Sequence, residues 1–354
     1  MKIALLTIWH CYNYGAEMQA YATCRALTSL GHDVEIIDLP LHESIPPVKK
    51  QIARLIGLLS PQRSKFNRFW SAHIPCKTRT YSSVEDLKKA PPVADIYMVG
   101  SDQVWNRDIT NDYAPAFFLD FGADNIRRIS FSSSFGVSEW SSPAALTAIV
   151  KKRLKQFSAV SCREKTGIKI LNETFGIDDA ANTLDPTLLF DDYSEITGTL
   201  SDKNIVAYYP LSPDDHALKP IADKVADLLS AHAKNANPYT LVPHTSLVWD
   251  RNSISEWLRT IAEARFVITQ SFHGLVFSIL HHRQFAVINL AKHSRQSRIL
   301  DLLSALGLED RYFSSETEFI QSNIIFSRVD YASVDAKLNK MRNDSWNYLK
   351  EATT

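Results

Sequence analysis

The chain has only four cysteines in 354 residues, and no two of them form a C-x-x-C pair. That leaves no material for a zinc knuckle or a dithiol redox motif. Cys11, Cys24, Cys76 and Cys162 are widely spaced and read as small apolar side chains of a core. Neither sign of charge is in excess, with 39 Lys and Arg against 39 Asp and Glu. A protein that neutralises many phosphates carries a basic excess, so nucleic acid is not expected as a partner. Long hydrophobic runs are also missing. The apolar stretch from Met1 to Trp9 ends at His10, too short for a signal peptide or a membrane span. A soluble, cytoplasmic protein is expected. P-loop, G-x-S-x-G, H-E-x-x-H and G-x-G-x-x-G sequences are all absent, which lowers the weight of the chemistries they carry. No metal cluster is evident, so neither a metal nor a cofactor is expected.

What is present is ordinary globular material, 45% hydrophobic and 22% charged. The length favours two domains, since single cores stop growing at roughly 250–300 residues. Residues 2–9 read as a buried strand. A helix follows with Met18, Ala22, Ala26 and Leu30 on one face and Gly31 as its C-terminal stop, and then a strand from Val34 to Leu39. This strand–helix–strand unit belongs to a parallel sheet. Strands are also predicted at 95–99, 128–133, 159–162, 205–209, 241–243, 266–269 and 285–288. Helices are predicted near 143–156, 214–233, 298–306 and 331–350, with a capping box at Ser253 and Glu256. The expected fold class is α/β, with domains at 1–192 and 193–330 and a C-terminal helix at 331–354 packing back on the first domain.

Segment 44–84 differs from the rest, with eight Lys or Arg and no Asp or Glu. Val48, Ile52, Leu55, Ile56 and Leu59 share one helical face there. Phe66, Phe69 and Trp70 follow among Arg63, Lys65 and Arg68. Two readings stand side by side: a core-packing helix with a solvated basic face, or a surface for anionic lipid or an anionic substrate.

The polar motifs sit at strand-to-helix turns, where open parallel sheets bind ligands. His273 lies in Ser271-Phe272-His273-Gly274, between a strand and a helix start that offers free N–H groups. It is a candidate proton donor, or a histidine that only hydrogen-bonds within its turn. Arg163 follows a strand and is suited to a carboxylate or phosphate, or to an ion pair with Glu164 or Asp185. Arg295 and Arg298 can add positive charge behind His273, or stay solvated. Asp102, after a Gly-Ser turn, can accept a hydroxyl proton or cap its own turn.

Taken together these blocks resemble the polysaccharide pyruvyl transferase family. The blocks are the 13–22 segment N-Y-G-A-E-M-Q-A-Y-A, Gly100-Ser101-Asp102-Gln103-Val104-Trp105-Asn106, Arg163-Glu164, Thr269-Gln270-Ser271-Phe272-His273-Gly274 and Arg298-Ile299-Leu300-Asp301-Leu302-Leu303. The resemblance implies two Rossmann-like domains around a cleft, like those of B-type glycosyltransferases. It also implies transfer of a pyruvate unit from phosphoenolpyruvate to two hydroxyls of a sugar, with phosphoenolpyruvate a co-substrate rather than a cofactor. His273 is then the general acid and Asp102 the group that orients or deprotonates the acceptor. Arg163, Ser271, Phe272, Gly274, Arg295 and Arg298 fall on the donor side. Asn13, Tyr14, Gly15, Ser101, Gln103 and Trp105 fall on the acceptor side. A lipid-linked oligosaccharide at the inner membrane face, met through 44–84, would fit as acceptor. The chain departs from some members at Ser271, where they carry Arg, and at Gln270, where Asp is common. The alternatives are a nucleotide-sugar glycosyltransferase of the same architecture and a non-catalytic partner in polysaccharide assembly.

Overall fold

A computed structural model describes residues 1–41, 61–74, 76–212, 216–238, 240–241, 249–290 and 296–354. Its frame is two parallel sheets. The first contains β1 (Lys2–Leu6), β2 (Asp33–Asp38), β3 (Lys77–Thr80), β4 (Ile96–Val99), β5 (Arg127–Ser130) and β6 (Phe157–Ala159) in the order β3-β2-β1-β4-β5-β6. A short pair, β7 (Ser161–Cys162) with β8 (Ala181–Asn182), continues from it. The second contains β9 (Ile205–Tyr209), β10 (His232–Asn235), β13 (Phe266–Thr269), β14 (Gln284–Ile288) and β15 (Tyr312–Phe313) in the order β10-β9-β13-β14-β15. Between them in sequence, β11 (Thr240–Leu241) and β12 (Trp249–Asp250) form a small antiparallel ribbon.

The reasons lie in the residues. Strands β1, β4 and β13 are buried along nearly their whole length, as sheets covered by helices on both faces require. The helix Tyr14–Ser29 starts on Asn13, whose side chain accepts from the N–H groups of Gly15 and Ala16. It ends before Gly31, whose φ of +83° suits a glycine. The helix Ile254–Ala262 carries the expected capping box of Ser253 and Glu256.

Both sheets have a topological switch point, where the strand order reverses. In the first it lies between β1 and β4, which pair Ile3 with Ile96. In the second it lies between β9 and β13, which pair Thr269 with Tyr209. Crevices for ligands open outside the carboxyl ends of strands at such points. The turns after β1 and β4 carry His10 to Gly15 and Gly100 to Asp102. Those after β9 and β13 carry Leu211 and Gln270 to His273.

Some elements differ from the sequence expectation. The helix expected near 214–233 is Leu218–Leu228, and residues 232–235 form the edge strand β10. The apolar residues of the helix Pro61–His73, namely Phe66, Phe69 and Trp70, are packed into the first core, and Lys65 pairs with Asp250. For 61–73 the core-packing reading therefore wins, whereas Val48, Ile52, Leu55, Ile56 and Leu59 lie outside the described residues. Among the described residues, no helix is long and apolar enough to cross a membrane.

The last helix, Tyr331–Thr353, crosses from the second sheet to the first. Tyr348 donates its hydroxyl to the Ser130 carbonyl at 2.8 Å, and Ser345 accepts from the Leu184 N–H at 2.9 Å. The Ser345 contact is buried, so its lost partner would not be replaced by water, and the Tyr348 contact is partly buried. Ser345→Ala strands the Leu184 N–H and is expected to cost about 1–3 kcal/mol in urea unfolding. A loss below about 0.5 kcal/mol, the range of an uninvolved surface position, would contradict this role for the helix.

Candidate active site

Two short bridges extend the first sheet past its regular strands, linking Asp102 to Ser133 and Ser133 to Cys162. They bring Asp102 and Arg163 off neighbouring strand ends. From the second sheet, Ser271 caps the helix Phe272–Leu280, and its Oγ accepts from the Gly274 N–H. Gly274 is fixed by space, since a Cβ there would lie 2.2 Å from Thr269 Oγ1. The turn therefore sits tight against its strand, and His273 reaches the first sheet. A Cβ on Gly15 would lie 2.1 Å from His273 Nδ1. The imidazole is seated directly on a helix of the opposite half.

The residue that gathers these groups is Asp185, with a side chain fully shielded from solvent. Its Oδ1 accepts from the Thr187 N–H at 3.0 Å and the Thr187 hydroxyl at 2.6 Å. Its Oδ2 accepts from Ser101 Oγ at 3.1 Å and from Arg163 Nη1, and it faces His273 Nε2 at 3.7 Å. That last separation is an ion-pair distance rather than a hydrogen bond. Burial alone would raise the Asp185 pKa. The Arg163 charge, then His273 and the Thr187 bond, outweigh it and hold the carboxyl well below the usual range.

His273 Nε2 is buried and turned to Asp185, while the Cγ–Nδ1–Cε1 side of the ring packs against Gly15. The two arginines flank Phe272, with Arg163 Cζ 4.7 Å and Arg298 Cζ 5.7 Å from its ring centre. Asp102 sits between them, 3.7 Å from Arg163 Nη2 and 3.6 Å from Arg298 Nη1, in a left-handed backbone conformation with φ of +71°. Burial, and then the neighbouring Arg163 charge, bring the Arg298 pKa down to about 10. Among the described residues, twelve buried side-chain nitrogen and oxygen atoms have no hydrogen-bond partner. Four of them are Arg163 Nε and Nη2, His273 Nε2 and Arg298 Nε. Such atoms are rare in folded proteins, and a cluster facing one place marks a ligand site.

The cleft itself encloses about 370 Å³ and draws on both halves. Cys11, Asn13, Ala16, Asp102 and Gln103 come from the first, and Tyr209, Leu211, Phe272, His273 and Arg298 from the second. Behind Phe272 and Arg298 a smaller cavity of about 210 Å³, also lined by Arg163 and Asp185, reaches Asp344 on the last helix.

The sequence candidates divide against this geometry. His273, Asp102, Arg163, Phe272 and Arg298 converge. Asn13 and Gln103 line the cleft. Tyr14 and Trp105 do not reach it. Tyr14 is buried, stacks on Trp257 at 5.0 Å and donates to the Asn252 carbonyl. Trp105 is buried against Phe118 and donates to the Phe117 carbonyl. Ser101 is buried beneath the cleft as a partner of Asp185, Gly15 makes room for His273, and Gly274 packs on Thr269. Ser271 caps its helix and also lines the cleft. Arg295 lies outside the described residues. Arg163 is paired with Asp185, but deep inside rather than on the surface. Asp185 itself was missed as a site residue. Its signal was an Asp-Pro-Thr turn after a short strand, which reads equally as a simple cap.

The sequence family model for polysaccharide pyruvyl transferase matches residues 13–291. The chain belongs to the polysaccharide pyruvyl transferase family. The matched region contains Asn13, Asp102, Arg163, Asp185 and His273, but not Arg298. A search of curated proteins returns no match. Solved structures similar to the chain share its fold at low identity. A UDP-N-acetylglucosamine 2-epimerase from Listeria monocytogenes is 9% identical with a TM-score of 0.53, covering 97% of this chain and 90% of its own. The UDP-GlcNAc 2-epimerase of Neisseria meningitidis, bound to UDP-GlcNAc, is 11% identical with a TM-score of 0.51, covering 100% and 99%. An α-glucosyltransferase in complex with UDP-glucose and DNA is 11% identical with a TM-score of 0.46, covering 99% and 95%. The architecture is α/β, with two Rossmann-like sheets facing a cleft.

Removing Asp185 leaves Arg163 buried without its counter-charge. Asp185→Ala is expected to lose about 3–5 kcal/mol in denaturant unfolding. Because the folded-state pKa is depressed, the wild-type advantage is present above the unfolded value of about 3.9 and shrinks as pH falls below it. A gap between wild type and variant that stayed constant down to pH about 2.5 would contradict this assignment.

Proposed function

We propose that this family member transfers the pyruvate unit of phosphoenolpyruvate to two hydroxyls of a sugar, forming a pyruvate ketal and releasing phosphate. The observation that carries the reading is the orientation of His273. Nε2 is backed by a buried carboxylate, and the ring lines a cleft together with Arg298, while Arg163, in the cavity behind it, keeps uncommitted N–H groups.

The donor carries a carboxylate and a phosphate. Arg163 Nη2 and Nε and the Arg298 guanidinium offer donors of matching charge and planarity. His273 gives a proton from Nδ1 to the methylene carbon, which becomes a methyl group and leaves an oxocarbenium-like centre at the adjacent carbon. The first sugar hydroxyl attacks that centre and loses its proton, and Asp102 accepts or steers it. The C–O bond to phosphate breaks and the second hydroxyl closes the ketal. Of the two hydroxyl protons, one replaces that spent by His273 and the other leaves with phosphate. Asp185 stabilises the imidazolium and keeps the proton on Nε2 when Nδ1 is neutral.

The test follows phosphate release from phosphoenolpyruvate with a panel of free, nucleotide-linked and lipid-linked sugars. His273→Ala is expected to lower turnover by about 10²–10⁴-fold while the fold persists. Wild-type activity in that variant, or turnover of a nucleotide sugar with no use of phosphoenolpyruvate, would overturn the reading. Gly15→Ala pushes the imidazole from its seat. Since misplacement by 1 Å can cost about 100-fold, a loss of that order is expected with little change in melting temperature. Unchanged turnover would mean that the ring is not held where it acts.

A further inference from the structure

We propose that a second pocket, walled by Trp9, His10 and Trp70, takes a neutral sugar ring of the acceptor chain beside the one that is modified. This inference rests on the sugar-acceptor reading above, but its walls and polar groups are distinct from the site already described.

The pocket encloses about 410 Å³, within the range of small-molecule sites of about 300–1,000 Å³. It lies past the carboxyl end of β1, beside the start of β3. The Trp9 and His10 rings stack at 5.2 Å, and Trp70 meets His10 edge-on at 3.9 Å. Both indole N–H groups are already committed, Trp9 to the Ile37 carbonyl at 3.2 Å and Trp70 to Glu17 at 2.7 Å. Both indoles are rooted in the core, and the small part of each that stays open to the pocket, 8% exposed in either case, is carbon surface. Asn67 and Ser71, four residues apart on one face of the helix Pro61–His73, supply exposed polar groups opposite, and Lys77 adds a third. The Lys77 charge is answered by the buried Asp38 at 2.8 Å, so the pocket carries no uncompensated cation to attract an anion. Apolar faces with neutral hydrogen-bonding groups match a pyranose, which has a C–H face and a rim of hydroxyls.

The walls are also rigid. The buried Glu17 accepts from the backbone N–H groups of His10, Cys11 and Tyr12 at 3.2, 3.0 and 3.2 Å as well as from Trp70. It fixes one loop and one wall with a single carboxylate. That loop holds His10 and Tyr12 in left-handed conformations, φ of 60° and 57°, of the kind that persist where surroundings over-determine them. His10 lines the aromatic pocket, while the next residue, Cys11, lines the catalytic cleft. The two cavities are therefore separated by one turn of chain, a short step for a linked disaccharide.

The experiment is saturation-transfer NMR on the full chain, with a panel of neutral monosaccharides and disaccharides of hexoses and N-acetylhexosamines, and with phosphoenolpyruvate and UDP as separate probes. At least one disaccharide is expected to bind. Asn67→Phe fills the pocket from an exposed helical position and leaves the Glu17–Trp70 bond intact. It is expected to weaken that sugar by about tenfold or more and to leave phosphoenolpyruvate binding unchanged. Sugar binding unaltered by Asn67→Phe, no sugar of the panel binding to the wild type, or loss of UDP rather than sugar in the variant would each overturn the proposal. Failure of the transfer chemistry is read separately, as sugar binding that persists without phosphate release.

Discussion

A carboxylate with no access to water must be neutralised by its surroundings, and Asp185 meets this demand by drawing in four segments of the chain. Ser101 arrives from the end of β4, Arg163 from β7, Thr187 from its own turn and His273 from the end of β13. Desolvating a charge of this kind is tolerable only with a counter-charge and full hydrogen bonding, and breaking such a set is far more costly than never building it. The site is therefore an electrostatic knot rather than a decoration on finished domains. An arrangement of the two sheets that separated His273 from Asp185 would take the imidazole from its counter-charge, while Asp185 kept its bonds to Ser101, Arg163 and Thr187. Contact between the halves is reinforced by packing, as where Tyr14 stacks flat on Trp257, a pairing worth about 0.5–1.5 kcal/mol beyond its buried area.

Part of the backbone strain lies near the site. Of nine left-handed non-glycine residues among the described residues, His10, Tyr12, Asp102 and Ser132 fall just past the carboxyl ends of strands in the first sheet. A regular strand-to-helix turn would aim those side chains along the sheet. The left-handed kink after Ser101 instead aims Asp102 across it, toward Arg163 and Arg298. Strain of this sort is stable only when neighbours over-determine it, as Glu17 does for His10 and Tyr12, and Ser161, Thr183 and Leu184 do for Ser132.

Much of this was legible in the sequence because buried parallel strands announce themselves. Continuous apolar runs such as Ile96–Val99 and Phe266–Thr269 are hard to mistake, and the turns after them are where open sheets hold ligands. The order of blocks then pointed to His273, Asp102 and Arg163 together. The edges were less legible. His232–Asn235 alternates between exposed and half-buried positions and borrows its strand character from β9, so its local sequence reads as the tail of a helix. Burial was the other hidden quantity. Tyr14 and Trp105 carry rings that suit a sugar, but nothing local reveals that Trp257 and Phe118 already cover them. Asp185 was concealed for the opposite reason. Its turn looks ordinary, and its meaning comes wholly from residues 22 and 88 positions away, Arg163 and His273.

The two carboxylates that face Arg163 are not equivalent, and the difference bears on how a charged donor could enter. Asp185 is bonded to Nη1 and fully buried, so that contact is fixed. Asp102 stands 3.7 Å from Nη2, beyond a good hydrogen bond, with a side chain that is partly exposed. Arg163 thus keeps one face locked and one face loosely held. The same looseness recurs at Arg298, 3.6 Å from Asp102. Asp102 balances two cations that would otherwise repel across Phe272. In the proposed reaction an anionic donor would take over that balance at closer range and leave Asp102 to meet a neutral hydroxyl, while Asp185 keeps its place against His273.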